Sequence, residues 1–384
     1  MIRQIGGKGT VLLSLILVLI LTAACGGGQA QPTPVPEKPE TKATEAPPTE
    51  VKAEEPQLAK ELHIYNWSDY IDPQIYEDFE KEYGVRIIED TFASNEELLA
   101  KLQAGATGYD IIVPSDYMVE IMINEGLLAE LDHKNIPNLV NIDPMFADPP
   151  YDPGMRHCVP YQWGTTGIGY NTEVFDEPPD SWAYLFDPEL ASQYAGKFTM
   201  LNDVRETLGA ALKYLGYSLN TTNEKELMEA RDLLIQQKQW VYAYDSEQFE
   251  DLLVADETVM AHGWSGDIFT AAAEDERIWY VIPKEGAVIW ADNLCIPATS
   301  ANKYTAEVFI NYLLEPEVGA KITNYTWFAS PNMASAEFIN PEILNEPAIY
   351  PPPEVMEKLE WIKDVGEATP LYERIWTEIK AAGP

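Results

Sequence analysis

From Leu62 onward, short apolar runs alternate with stretches whose apolar residues recur at helical spacing. Leu62 to Asn66 reads as a buried strand. Asp72-Pro73 then opens a helix with Pro73 at its first position, and Gly84 stops it. Val85 to Phe92 reads as the next strand. Ser94 with Glu97 three residues on predicts a capping box for a helix ending near Gly105. Asp110 to Pro114 is a third strand, and Tyr117 to Asn124 has a helical apolar stripe. This rhythm predicts an α/β fold with a mostly parallel sheet covered on both faces. A second block begins near Gly167. It contains strands at Lys197 to Leu201, Thr258 to His262, Ile278 to Ile282 and Ala287 to Ile296, and a long helix from about Asn223 to Lys238.

The N-terminal pattern is different. Arg3 and Lys8 precede an apolar run from Val11 to Leu21, broken only by Ser14 and too short to cross a bilayer, which needs about 20 apolar residues. It ends in Thr22-Ala23-Ala24-Cys25-Gly26, small residues before a cysteine as in a bacterial lipobox, although Thr22 stands where an aliphatic residue is usual. The expectation is a lipoprotein signal peptide over residues 1–24 with Cys25 acylated; the alternative is an ordinary cleaved signal with a free cysteine. Residues 25–57 hold seven prolines among Glu, Thr, Ala and Lys, with no apolar periodicity, and read as a tether. The remaining body is long enough for two lobes.

Charge narrows the ligand classes. The net charge is −38, and residues 1–57 carry five Lys/Arg against six Asp/Glu, so nearly all of it lies on the body. Such a field repels nucleic acid and is compatible with polycations, although surface acids also serve solubility. The four histidines are scattered without metal-ligand spacing, so no metal site and no cofactor are expected. Cys158 and Cys295 remain as a candidate disulfide outside the cytoplasm.

Four segments join an aromatic ring to a carboxylate: Trp67-Ser68-Asp69-Tyr70, Ser115-Asp116-Tyr117, Trp264-Ser265-Gly266-Asp267 and Trp290-Ala291-Asp292. A ring face attracts an organic cation by about 0.5–2 kcal/mol, and a carboxylate adds charge-assisted hydrogen bonds. Each segment alone reads equally as core aromatics beside solvated acids; four of them point to a flexible amine. Two lie just past predicted strand ends, where open α/β sheets bind ligands. Asp203 and Glu206 read either as a capping box or as ligand contacts.

Tyr65 to Tyr70, Tyr109 to Ser115, Pro160 to Asn171 and Trp290 to Pro297, taken in order, resemble the spermidine/putrescine-binding proteins, and the likeness runs from about Leu62 to Gly366 and beyond. That family consists of extracytoplasmic receptors of ATP-driven (ABC) polyamine importers. The resemblance implies the two-lobed type II periplasmic-binding-protein fold, with residues 58–166 and 290–336 in lobe 1, residues 167–289 and 337–384 in lobe 2, and a hinge between them. It implies that Trp67, Ser68, Asp69, Tyr70, Ser115 and Tyr117 line one wall. Asp203, Glu206, Trp264, Asp267, Trp290 and Asp292 would line the other wall and hinge. Trp264 and Trp290 would stack on methylenes and Asp292 would take an ammonium. Phe328 replaces an expected Tyr, and Ile362 an expected Gln, while Asp267 resembles the putrescine-preferring branch. The chain would cross between lobes near Thr166 and return near Trp290; if those strands pair antiparallel, Cys158 and Cys295 fall near register, the alternative being two buried thiols. The implied partners are a polyamine, ABC permease subunits, and a membrane surface reached through the lipid on Cys25. A monomer, exported and held at the outer face of the cytoplasmic membrane or in the periplasm, is expected. The rival readings are a secreted hydrolase using two carboxylates and a receptor for another organic cation. Ser265 does not make a nucleophile elbow, because Asp267 stands where a glycine is required.

Overall fold

The computed structural model describes residues 57–383. The signal segment, Cys25 and the tether as far as residue 56 lie outside the described residues.

Among the described residues, ten strands organise the body: β1 (Glu61–Trp67), β2 (Arg86–Phe92), β3 (Ile111–Ile112), β4 (Cys158–Asn171), β5 (Phe198–Met200), β6 (Ala243–Tyr244), β7 (Met260–Trp264), β8 (Ile278–Val281), β9 (Val288–Cys295) and β10 (Glu360–Trp361). β1 pairs in parallel with both β2 and β3, as the β-α-β rhythm predicts. The sheet is nevertheless mixed. β9 runs antiparallel to β3 and to β4, and β4 runs antiparallel to β7 and β8. The parallel pairing resumes at β7-β5-β6. The antiparallel strands are those that carry the chain from one half to the other and back.

β4 is the shared element. Its residues Cys158 to Thr165 pair with β9, and its residues Thr166 to Asn171 pair with β7 and β8. All fourteen residues are buried. Three glycines make this fit. A Cβ on Gly164 would fall 2.8 Å from the Trp290 ring, on Gly167 2.6 Å from the Tyr280 hydroxyl, and on Gly169 2.4 Å from Ile268. Cys158 and Cys295 face each other in the β4–β9 register with Cα atoms 4.4 Å apart, and their sulfurs are bonded.

Helices cover both halves. In the first, the helix Pro73–Tyr83 starts at an Asp72 cap bond to Gln74 N, stops at Gly84 (φ 70°), and buries Ile75 and Phe79 on one stripe. Phe79 meets Phe309 edge-on at 4.7 Å between centroids, and full burial of such a ring contributes about 1.5–3 kcal/mol. In the second, Leu227, Ala230 and Leu234 of the helix Glu224–Gln237 are buried, and this helix packs on the helices Val204–Tyr214 and Thr369–Ala381. The C-terminal segment serves both halves: β10 pairs with β9, whereas Thr369–Ala381 packs on the second half. The seventh strand lies two residues later than Thr258 to His262. β-branched Thr258 and Val259 favour a strand by composition, but ladder pairing starts at Met260 opposite Tyr170 and Phe198.

Candidate functional site

The parallel strands of both halves end at one cavity of about 880 Å³, open mouth included. β1 delivers Trp67 at its last residue and Ser68, Asp69 and Tyr70 in the turn beyond. β3 leads to Ser115, Asp116 and Tyr117 at the start of the helix Asp116–Asn124. β5 leads to Asp203 and Glu206 at the start of the helix Val204–Tyr214. β7 ends in Trp264 and leads into the helix Ser265–Glu274, which carries Asp267 in its first turn. Trp290 and Asp292 sit on β9, and Phe328 follows the helix Pro316–Thr326. The structure therefore brings all thirteen residues expected at the site around one cavity.

Three helices thus aim their N-termini at this cavity. That arrangement alone would favour an anion, because free N–H groups and the helix dipole leave positive potential there. Each of the three helices counters it with an acid at its cap or in its first turn: Asp116, Asp203 with Glu206, and Asp267. Asp292 and Asp69 add further carboxylates, so the space is suited to cations.

Asp292 is the best-supported group. Tyr70 Oη donates to its Oδ2 at 2.7 Å and Ser115 Oγ donates to its Oδ1 at 2.6 Å. Asn95 Nδ2 donates in turn to Ser115 Oγ at 3.0 Å, and Asn95 Oδ1 accepts from Ser115 N at 3.0 Å. Burial raises the Asp292 carboxyl to about 7, and the two hydroxyl donors pull it back.

Asp203 does cap its helix, accepting from the amides of Arg205 and Glu206 at 2.8 and 3.0 Å. Both bonds use Oδ1, so the cap leaves Oδ2 for other partners. Glu206 does not complete the capping box. Its Oε1 accepts from the Trp264 indole at 3.3 Å, and its buried Oε2 has no partner. Burial, then the neighbouring Asp203, raises Glu206 to about 8. Asp267 is raised well above the usual carboxylate range by burial, then by Glu250 and Asp69. Asp69 holds a left-handed backbone (φ 54°), an uncommon state for a residue with a side chain.

The rings line the cavity in two groups, one around Trp67 and Trp264 and one around Phe328. Trp67 and Trp264, from opposite halves, approach edge-on at 6.0 Å, so the two walls stand close together. The Trp67 indole is fixed by donation to Val113 O at 2.9 Å. Phe328 lies 5.3 Å from Tyr70 and 5.1 Å from Trp290, centroid to centroid. A Cβ on Gly266 would fall 2.5 Å from the Phe328 ring, so the glycine admits it.

Several lining residues escaped the sequence reading: Phe92, Asn95, Phe249 and Glu250. Phe92 ends β2 and packs at 4.5 Å from Trp67; its place at a strand end was the available signal. Glu96 also belongs to this electrostatic group, receiving the Tyr117 hydroxyl at 3.1 Å. Burial, then Asp203, raises it to about 7. Asp116 stands in the Ser115-Asp116-Tyr117 segment, yet the resemblance assigns it to neither wall. Among the described residues, no group of three or more His, Cys, Asp or Glu is arranged to hold a metal ion.

Comparison with known proteins gives a consistent result. The family model for bacterial extracellular solute-binding proteins matches residues 74–351. The spermidine/putrescine-binding periplasmic protein of Salmonella typhimurium is 37% identical over 322 residues, covering 83% of this chain and 91% of the relative. The putrescine-binding periplasmic protein SpuD of Pseudomonas aeruginosa is 39% identical over 338 residues, covering 84% and 92%. The solved structure of the spermidine/putrescine ABC transporter substrate-binding protein PotD of Streptococcus pneumoniae superposes with a TM-score of 0.71 at 34% identity, covering 84% of this chain and 99% of that one.

Proposed function

From its place among the bacterial extracellular solute-binding proteins, the family to which this chain belongs, we propose that it is the polyamine receptor of an ABC importer. It takes putrescine, spermidine or both into the cleft between its two lobes and hands the cargo to membrane permease subunits. Its fold is the type II fold of the periplasmic binding proteins. The observation that carries the ligand class is the Asp292 carboxylate, buried and held by Tyr70 and Ser115 in an aromatic cavity whose helix starts all bear acids.

In this reading one terminal ammonium docks on Asp292. Trp264 and Trp290 cover the methylene chain, whose apolar surface and adjacent positive charge both favour a ring face. The remaining amines meet Asp203, Glu206 and Asp267 from one side of the cleft and Asp69 from the other. Trp67, Ser68, Tyr70, Ser115, Tyr117 and Phe328 complete the enclosure. The protein performs no chemistry on its cargo. Cys25 carries the lipid and residues 26–57 act as the leash, so the monomeric receptor stays near its permease. Cys158 and Cys295 stay bridged after export, consistent with an oxidising compartment. Among the described residues no helix is long and apolar enough to cross a membrane.

Calorimetric titration of the folded protein with putrescine, spermidine, spermine and a neutral amino acid tests the assignment. Stoichiometric binding of polyamines without binding of the amino acid is expected; the reverse pattern would overturn it. Radiolabelled palmitate incorporated into the wild type and lost in Cys25→Ala tests the anchor.

A further inference from the structure

Asp116 borders the cavity and has no role in the scheme above. It is only 2% exposed. Its Oδ1 accepts from the Tyr117 amide at 2.7 Å, while its Oδ2 is buried with no partner. A buried carboxylate oxygen left unpaired is costly, so this atom either keeps a proton or takes a donor from a ligand. The Ala291 amide on β9 points toward this carboxyl but makes no hydrogen bond with Oδ2, and the charged and hydroxyl groups that face it supply none. Asp292 on β9 and Glu206 on the helix Val204–Tyr214 are acids. Arg205 on that same helix spends its terminal nitrogens on Lys363 O and Asn220 Oδ1, both at 2.9 Å, and its buried Nε makes no hydrogen bond to Asp116 or to any other group. The Tyr151 hydroxyl donates to Asn293 Oδ1 at 3.0 Å.

Asp292 is in the opposite condition. Both of its oxygens already accept hydroxyl protons. Because Asn95 Nδ2 donates into Ser115 Oγ, the single Ser115 proton is committed to Asp292. A primary ammonium brings three N–H donors. Asp292 alone leaves part of that donor set unused, and Asp116 Oδ2 is the idle acceptor beside it.

We propose that Asp116 and Asp292 form a two-carboxylate clamp for the terminal primary ammonium of the cargo, with Asp116 Oδ2 accepting an N–H that Asp292 leaves free. This inference rests on the polyamine reading. It makes the clamp selective for a primary amine, since a dimethylated nitrogen has a single N–H and cannot serve both acids. It also couples binding to a proton. Two adjacent buried carboxylates do not both ionise without a cation, and burial holds Asp116 well above the usual carboxylate range. When the ammonium arrives with all its protons, the proton on Asp116 Oδ2 leaves for solvent. Affinity therefore weakens as pH falls.

Asp116→Asn is the test, because Asn keeps the acceptor for the Tyr117 amide and turns a donor toward the ligand. Titration with putrescine in two buffers of different ionisation enthalpy reads affinity and proton release together. The variant is expected to bind at least about tenfold more weakly and to release about one proton fewer, with unchanged or higher melting temperature when free of ligand. Unchanged affinity and proton count would make Asp116 a buried helix-end residue and overturn the clamp. A measurement on the wild type guards against a variant that does not fold: N,N,N′,N′-tetramethylputrescine is expected to bind at least about tenfold more weakly than putrescine, and equal affinities would overturn the clamp. A wild type that binds no polyamine would instead sink the functional reading itself.

Discussion

A single carboxylate illustrates how the site works. Asp292 is buried beside two hydroxyl donors, so its charge is prepared and waits for a counter-charge. Removing one partner of a desolvated charge pair costs roughly 2–5 kcal/mol. Asp292→Asn is therefore expected to weaken putrescine and spermidine binding by about 30-fold or more. Ligand-free stability should hold, because the amide oxygen still accepts one hydroxyl. Thermal unfolding alongside calorimetry checks both halves; wild-type affinity would remove Asp292 from the site. Such residues were legible because aromatic and acid stand next to each other in the chain. Phe249 and Glu250 also stand side by side but were not, since they lie in the short helix Phe249–Val254, where a ring beside an acid reads as an ordinary amphipathic pair rather than as the end of a predicted strand. Glu206 was half legible: its spacing from Asp203 suggested a cap, and only the tertiary position of Trp264 shows where its oxygen goes.

At the level of elements, helix starts serve two purposes at once. Asp203 ties down two amides and also faces the cleft. The two roles separate by substitution. Asp203→Asn keeps a good cap and loses the charge, so stability should stay near wild type while polyamine affinity drops. Asp203→Ala loses both, adding a stability cost of about 0.5–2 kcal/mol. Urea unfolding and titration of the pair decide it; an Asn variant that binds like wild type would leave Asp203 as a cap alone. Helices and outer strands were readable from periodicity and punctuation, as at Asp72-Pro73 and Gly84. β4 was not. Pro160 and glycines 164, 167 and 169 argue against a strand by composition. Their reason lies in Trp290, Tyr280 and Ile268, more than ninety residues away in sequence. The resemblance located this crossing; local pattern did not. β6 and β10, two residues each and without the apolar run that marks β3, carry too little pattern to be read.

For the whole molecule, the crowding of acids sets how stability responds to pH and ligand. Asp292, Glu206, Glu96 and Glu250 have folded values near 7 to 8, raised from about 4 to 4.5. Raised carboxyls mean that the folded state binds more protons than the unfolded chain, so stability falls as pH rises. Without ligand, the melting temperature should climb as pH is lowered from 8 toward 5. With saturating spermidine the trend should flatten, because ammonium groups replace the protons. A ligand-free melting temperature that instead rose steadily from pH 5 to 8 would contradict the burial of these acids. Since neither half alone can surround the cargo, binding should favour the closed form. Ligand at 100 times its dissociation constant should add about 2.7 kcal/mol to stability. Solution scattering should show a smaller radius of gyration on adding spermidine; an unchanged radius with tight binding would exclude closure.

The three helix starts have a consequence for cargo choice across evolution. The backbone beneath them is an anion cradle, and side chains at Asp116, Asp203, Glu206 and Asp267, joined by Asp69 and Asp292, reverse its preference. The sign of the solute is thus written in a handful of codons, while lobes, hinge and crossing strands stay the same. A lineage could exchange amines for acids at this cleft by neutralising those few positions, with no new architecture and no loss of the surfaces that meet the permease.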